Sequence, residues 1–310
     1  MVGNQTSQCE FILLGLSDFK DFSIPVSMLI LLIYVATLAG NLIIISLVVT
    51  ESHLQTPMYF FLSNLASLNI FSSSISASHL SFDIFTGNRL ILYSTCITQV
   101  FFFSWFVSTE SFMLEIMSYD RYVAICQPLR YTTMMSFHLS VQLAFSIWVL
   151  NFVCCLVHTL CVLRLSFPDP TTIPGLFCEL YQLIQLSSSD TYLNYLLLYT
   201  EVSCFSVTGF LITFLSYVYI FKTILRMKVK DGRRKAYSTC SSHLTVVFIF
   251  YGTAFFNYLH PKTKDLLSGR LMSVFYTVFT PLLNPIIYSL RNTELKSALQ
   301  KTLSRMGSTP

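Results

Sequence analysis

Seven stretches of this chain are apolar over the roughly 20 residues that a helix needs to cross a hydrocarbon core. They run near Ile24–Val49, Met58–His79, Gln99–Ala124, Leu139–Leu163, Tyr192–Ile224, Tyr237–Leu259 and Leu271–Leu290, with polar connections between them. An odd number of spans puts the two termini on opposite sides of a membrane. With the N-terminus outside, the inner side holds 13 of the 19 Lys and Arg residues, including the run Lys222 to Lys235. Basic residues favour the cytoplasmic side, so the pattern predicts an all-α bundle with its N-terminus out and its C-terminus in. The divisions expected are an outer tail over 1–23, a spanning domain over 24–290 and an inner tail over 291–310. In that tail Leu295, Ala298, Leu299 and Leu303 recur at helical spacing beside Lys296, Lys301 and Arg305. This predicts an amphipathic helix on the inner leaflet.

Composition strengthens the membrane reading. Of 310 residues 54% are hydrophobic and only 11% charged, against about 25% charged in soluble domains. The net charge of +4 is too small to argue for nucleic acid. No His-Glu-x-x-His, Gly-x-Ser-x-Gly, phosphate-binding glycine loop or Cys-x-x-Cys occurs, so no enzyme, cofactor or metal site is expected. The first 20 residues lack a basic start, an apolar core and a cleavage site, and span one is expected to act as the uncleaved insertion signal. Asn4-Gln5-Thr6 is a glycosylation sequon in the outer tail.

Topology sorts the nine cysteines by compartment. Cys126 and Cys240 fall at the reducing inner face. Cys154, Cys155, Cys161 and Cys204 lie in or near spans, where a thiol behaves as a small apolar group. Cys96, at the outer end of span three, and Cys178, in the long outer segment, share oxidising space and are expected to form a disulfide. Cys9 has no obvious partner. No cysteine follows Cys240, so no palmitoyl anchor is expected on the inner tail.

Ionisable groups inside spans are costly and point to function. Glu110 and Glu115 fall in span three and Glu201 in span five, with no central Lys or Arg to pair with them. For Glu110 two readings stay open: a neutral acid hydrogen-bonded to Asn69 or Asn284, or an ion-linked carboxylate. Arg121 lies 25 residues after Cys96, a helical rise of roughly 37 Å that carries it to the inner membrane edge. There it is either held by a releasable ion pair with Asp120 or is a snorkelling anchor. In span seven Pro281 and Pro285 interrupt a helix, and Asn284 is placed to rescue the freed backbone groups.

Asp120-Arg121-Tyr122, Asn284-Pro285-Ile286-Ile287-Tyr288 and the outer cysteine pair resemble the rhodopsin-like G-protein-coupled receptors. Four longer runs narrow the likeness. Pro57-Met58-Tyr59-Phe60-Phe61-Leu62-Ser63-Asn64-Leu65, Ser118 to Cys126, Lys235 to Leu244 and Pro281 to Asn292 resemble the signatures of vertebrate odorant receptors, in their larger, tetrapod-type branch (class II). The opening Glu10-Phe11-Ile12-Leu13-Leu14-Gly15-Leu16 fits as well. The resemblance implies odorant binding in the outer half of the bundle and coupling to a stimulatory, olfactory-type G protein that raises cyclic AMP. It implies that Arg121 trades Asp120 for the G protein and Tyr217, with Tyr122, His243, Asn284, Pro285 and Tyr288 in the moving inner network. It also implies the plasma membrane and sensory cilia.

Several positions depart from that family. Asn69 stands where an aspartate is usual, leaving Glu110 alone, so sodium modulation is not expected. Pro168 and Ser188 occupy the places of a second loop disulfide, so the outer segment should be tethered mainly by Cys96 and Cys178. Ser118 replaces a usual alanine, and Ser104 a frequent histidine, which argues against a metal-assisted site.

The ligand class follows by exclusion. Phe103, Ser104, Val107, Ser108 and Ser111 share a face of span three without an aspartate, so a cationic amine lacks its counter-ion. Span seven has no lysine for a retinal Schiff base. A small apolar ligand remains, held by that face with Phe205, Tyr251, Ala254, Phe255 and Tyr258. Glu201 belongs with them if it faces the pocket and is structural if it faces a neighbouring helix. A transporter using Glu110 or Glu201 and a purely structural membrane protein are the competing classes.

Overall fold

The computed structural model describes residues 10–14, 23–86, 89–175, 177–259 and 275–307. Asn4 and Cys9 lie outside the described residues. Among the described residues helices occupy the predicted stretches: α1 Ser23–Thr50, α2 Pro57–Thr86, α3 Tyr93–Cys126, α4 Phe137–Val162, α5 Tyr192–Arg226, α6 Lys230–Leu259 and α7 Thr280–Arg291. A π-helical turn, Phe275–Phe279, leads into α7, and α8, Thr293–Gly307, follows it.

Among the described residues α1 from Met28, α3, α4 and α5 are long and apolar enough to cross a membrane by composition alone. The other spans carry more polar groups, and they answer them internally. In α2, Ser63, Ser67, Ser73, Ser74 and Ser76 each donate to a carbonyl three or four residues back, so their hydroxyls are satisfied without water. Helix α6 starts at Lys230, two turns before its apolar stretch, because the basic run is helix-compatible and projects beyond the core.

Helix ends follow local chemistry. Pro57 opens α2, where its missing N–H costs nothing. Ser136 caps α4 by accepting from the Leu139 amide at 3.2 Å. Asn292 caps α8, its Oδ1 accepting from the amides of Glu294 at 3.0 Å and Leu295 at 3.3 Å. Leu295 and Ala298 are buried on the inner end of the bundle, with Leu299 packed beside them. The apolar face of α8 is thus taken up by protein along its first turns, and not by the leaflet alone as its spacing predicts.

The sequence pattern did not anticipate a small sheet at the outer end. Strand β1, Glu10–Leu13, lies between β2, Leu90–Leu92, and β3, Thr171–Ile173, antiparallel to the first and parallel to the second. Phe11 faces Ile91 and Thr171 in register, and Phe11, Leu13, Ile91 and Ile173 bury one face against Cys96, Cys178 and Leu183. The run Glu10 to Leu13 therefore folds the outer tail onto the outer segment. A second, inner core joins Leu65, Met113, Leu114, Met117, Val246 and Tyr288 from four helices. Trp105 and Trp148 knit its flank: Trp105 Nε1 donates to the Trp148 carbonyl at 3.0 Å, and Trp148 Nε1 to Asn64 Oδ1 at 3.3 Å.

Candidate functional site

The outer segment is pinned over α3. Cys96 and Cys178 are disulfide-bonded, with Cα atoms 5.5 Å apart. One turn further along α3, Gln99 Oε1 accepts from the Cys178 amide at 3.0 Å, a contact that spacing does not reveal. The neighbouring Phe177 is buried and packs at a tilt, 4.9 Å between ring centres, on Phe103, the outermost of the predicted ligand residues.

The same segment has a further tether. The Ser188 amide and hydroxyl both donate to the Ser166 carbonyl, at 2.9 and 3.1 Å. Ser187 donates there at 3.2 Å, and the Ser166 amide donates to Ser189 Oγ at 3.1 Å. A serine clasp thus closes the loop at Ser188, and β3 adds ladder bonds to the outer tail. The clasp and the ladder thus add to the Cys96–Cys178 tether.

Below this roof Ser104, Val107, Ser108 and Ser111 form one face of α3, and all four are only partly buried. Phe205, on the π-helical turn Val202–Val207 of α5, packs against Phe112 at 5.6 Å. Tyr251 on α6 packs edge-on against Phe210 at 5.6 Å and lies 3.4 Å from the Ser111 hydroxyl. The side chains of Ala254, Phe255 and Tyr258 lie outside the described residues. Glu201 is turned to α4, where its Oε2 stands 2.6 Å from Nε2 of the buried His158. Its contact is thus with a neighbouring helix. The partner is a histidine rather than a Lys or Arg, and its place beside Glu201 depends on how α4 and α5 pack.

Deeper in the bundle an amide chain links four helices. Asn284 Nδ2 donates to Glu110 Oε1 and to Asn69 Oδ1, each at 3.2 Å, and Asn69 Nδ2 donates to Asn41 Oδ1 at 3.3 Å. Asn41 Nδ2 in turn donates to the Pro281 carbonyl at 3.3 Å. This is the carbonyl that Pro285, lacking an N–H, leaves without its helical donor. The rescue expected of Asn284 is therefore performed by Asn41 on α1, and Asn284 holds Glu110 instead. Close approach of the two helices depends on Gly40, where a Cβ would sit 3.1 Å from the Pro285 ring.

At the inner end Asp120 is buried and held on both oxygens. Arg121 pairs with Oδ2, through Nε at 3.0 Å and through Nη2, and Tyr131, from the connection after α3, donates to Oδ1 at 2.8 Å. Burial, then the Asp120 charge, push the Tyr131 phenol well above the usual tyrosine range, so it remains a donor. Across the same end the Tyr217 hydroxyl lies 2.7 Å from His243 Nδ1, with the rings stacked at 6.0 Å. Tyr122 packs against Tyr219 and takes a hydrogen bond from Gln127 at 3.3 Å. The Tyr288 hydroxyl is buried and has no hydrogen-bond partner among the described residues.

The sequence model of the olfactory receptor family matches residues 30–306. Similar proteins include human olfactory receptor 5B12, 43% identical over 97% of this chain and 96% of its own length. Rat olfactory receptor 1f45 is 45% identical over 97% of this chain and 96% of its own. Human olfactory receptor 10C1 is 45% identical over 98% of both chains.

Proposed function

The chain belongs to the olfactory receptor family, a multi-pass G-protein-coupled receptor of the plasma membrane and not an enzyme, and from that premise we propose where it takes its odorant and how it signals. The odorant is a small, mostly apolar molecule. It enters the outer half of the bundle and lies along Phe103, Ser104, Val107, Ser108 and Ser111, against Phe205 and Tyr251, and the set includes Ala254, Phe255 and Tyr258. Glu201, engaged by His158, is left out of this set. The observation that carries the reading is the α3 face itself: partly open hydroxyls at helical spacing under a roof fastened by Cys96–Cys178 and Phe177. Apolar walls with a few hydroxyls suit a neutral ligand of odorant size.

The inner end is the coupling face. Arg121 on Asp120 and Tyr217 on His243 support reading the inner face as closed, and an odorant that binds the open form better shifts the population toward it. Arg121 then leaves Asp120 for Tyr217 and a stimulatory, olfactory-type G protein, and cyclic AMP rises. Tyr122, Asn284, Pro285 and Tyr288 move with it. The outer tail, glycosylated at Asn4, faces outward and the C-terminus inward, in sensory cilia.

The test is cyclic AMP in cells expressing the full chain at controlled surface level, against small acids, alcohols, aldehydes, esters and amines. A response that Arg121→Ala loses, and whose potency shifts in Ser108→Leu or Tyr258→Leu at equal surface level, is expected. Unchanged potency in both pocket variants would remove the pocket assignment, and signalling by Arg121→Ala would remove the coupling role.

A further inference from the structure

Glu115 belongs neither to the amide chain around Glu110 nor to the His158 pair at Glu201. Ser104, Ser108, Ser111 and Glu115 follow one another by three or four residues, so Glu115 continues the serine face of α3 one turn inward. Like the serines it is only partly buried. Its Oε1 accepts from the Tyr251 hydroxyl at 3.1 Å and from the Ser111 hydroxyl at 3.4 Å, and those two hydroxyls stand 3.4 Å apart. Room for the carboxyl comes from α5: a Cβ at Gly209 would overlap it, Oε1 most closely. Phe210, the next residue, braces the Tyr251 ring at 5.6 Å.

A hydroxyl has one proton and two lone pairs. Tyr251 commits its proton to Glu115, and Ser111 commits its own to Glu115 or to the Tyr251 oxygen. Oε1 takes these bonds whether the acid is ionised or carries a proton on Oε2. Neither hydroxyl therefore has a proton left for a ligand, and each can offer a ligand only lone pairs. We propose that Glu115 makes Ser111 and Tyr251 an acceptor pair that selects hydroxyl-bearing odorants, small alcohols or phenols, over ethers, esters and ketones of the same skeleton. This rests on the odorant-receptor reading and on the α3 pocket. A ligand with acceptors alone sets lone pair against lone pair and strands a buried polar group, which a site built for a hydroxyl rejects strongly.

The experiment compares alcohols and phenols, each beside its own methyl ether and acetate, by cyclic AMP response in cells expressing the full chain at matched surface level. In the wild type each responding alcohol or phenol should exceed its ether in potency by at least about tenfold. Glu115→Leu releases both hydroxyl protons, and the ratio should fall to within about twofold or invert. Glu115→Gln keeps an acceptor oxygen and should keep the wild-type ratio. If Glu115→Leu is silent, the ratio is read in Tyr251→Phe, where it should also narrow. A ratio near one in the wild type, or an unchanged ratio in Glu115→Leu, overturns donor selection and leaves the odorant reading standing. Silence of the wild type to every compound overturns both.

Discussion

Tyr217 on α5 and His243 on α6 meet at 2.7 Å with their rings stacked and both side chains buried. They join two helices through one neutral contact at the end of the bundle where Arg121 is held on Asp120. A link of this kind is worth about 1 kcal/mol net, enough to bias an equilibrium between closed and open inner faces without locking it. His243→Ala should therefore raise basal cyclic AMP by about two- to tenfold, with odorant efficacy retained. A basal level equal to wild type at equal surface expression would show that the contact does not hold the inner face closed.

The second restraint is Tyr131, whose hydroxyl donates to the Asp120 oxygen opposite Arg121. A bond to a charged acceptor contributes about 1.5–3 kcal/mol. Tyr131→Phe should raise basal signalling at least as much as His243→Ala does, and adding Arg121→Ala should abolish the signal. Because the phenol is pushed well above the usual tyrosine range, this restraint should not change between about pH 6 and pH 8. Basal activity measured across that interval in permeabilised membranes checks it.

Asn284 donates to both Asn69 and Glu110, so the site offers one carboxylate and neutral amide oxygens, with Asn284 Oδ1 unpaired among the described residues. A monovalent cation prefers more anionic oxygen than that. Replacing sodium chloride by choline chloride at constant ionic strength should move odorant potency by less than about twofold. Asn69→Asp, which supplies a second carboxylate, should make the response sodium-dependent. Equal sodium dependence in wild type and variant would contradict this account of the site.

The outer segment has two unequal fasteners. Loss of the Cys96–Cys178 disulfide, which spans 82 residues, should cost about 4 kcal/mol and most of the surface expression. The serine clasp is partly exposed and shares one carbonyl. The double change Ser187→Ala, Ser188→Ala should lower the Tm of purified receptor by no more than about 3 °C. A larger loss than that of Cys96→Ala would reverse the ranking.

The spans and the residues of the family motifs are legible from residue order alone, because a helix satisfies its own backbone and needs only length and apolarity to be recognised. The disulfide partners are legible for a similar reason, since topology leaves few cysteines in oxidising space. What residue order cannot supply is the rotation of one helix against another. That rotation turns Glu201 to His158, brings Asn41 rather than Asn284 to the carbonyl freed by Pro285, and seats the Glu115 carboxyl in the space left by Gly209. The sheet that gathers β1 between β2 and β3 has the same origin: strands of three or four residues carry no readable period, and their ladder exists only once α3 and the outer segment have placed two of them side by side. Local sequence set the elements, and contacts between residues tens to hundreds of positions apart decided which side chains meet.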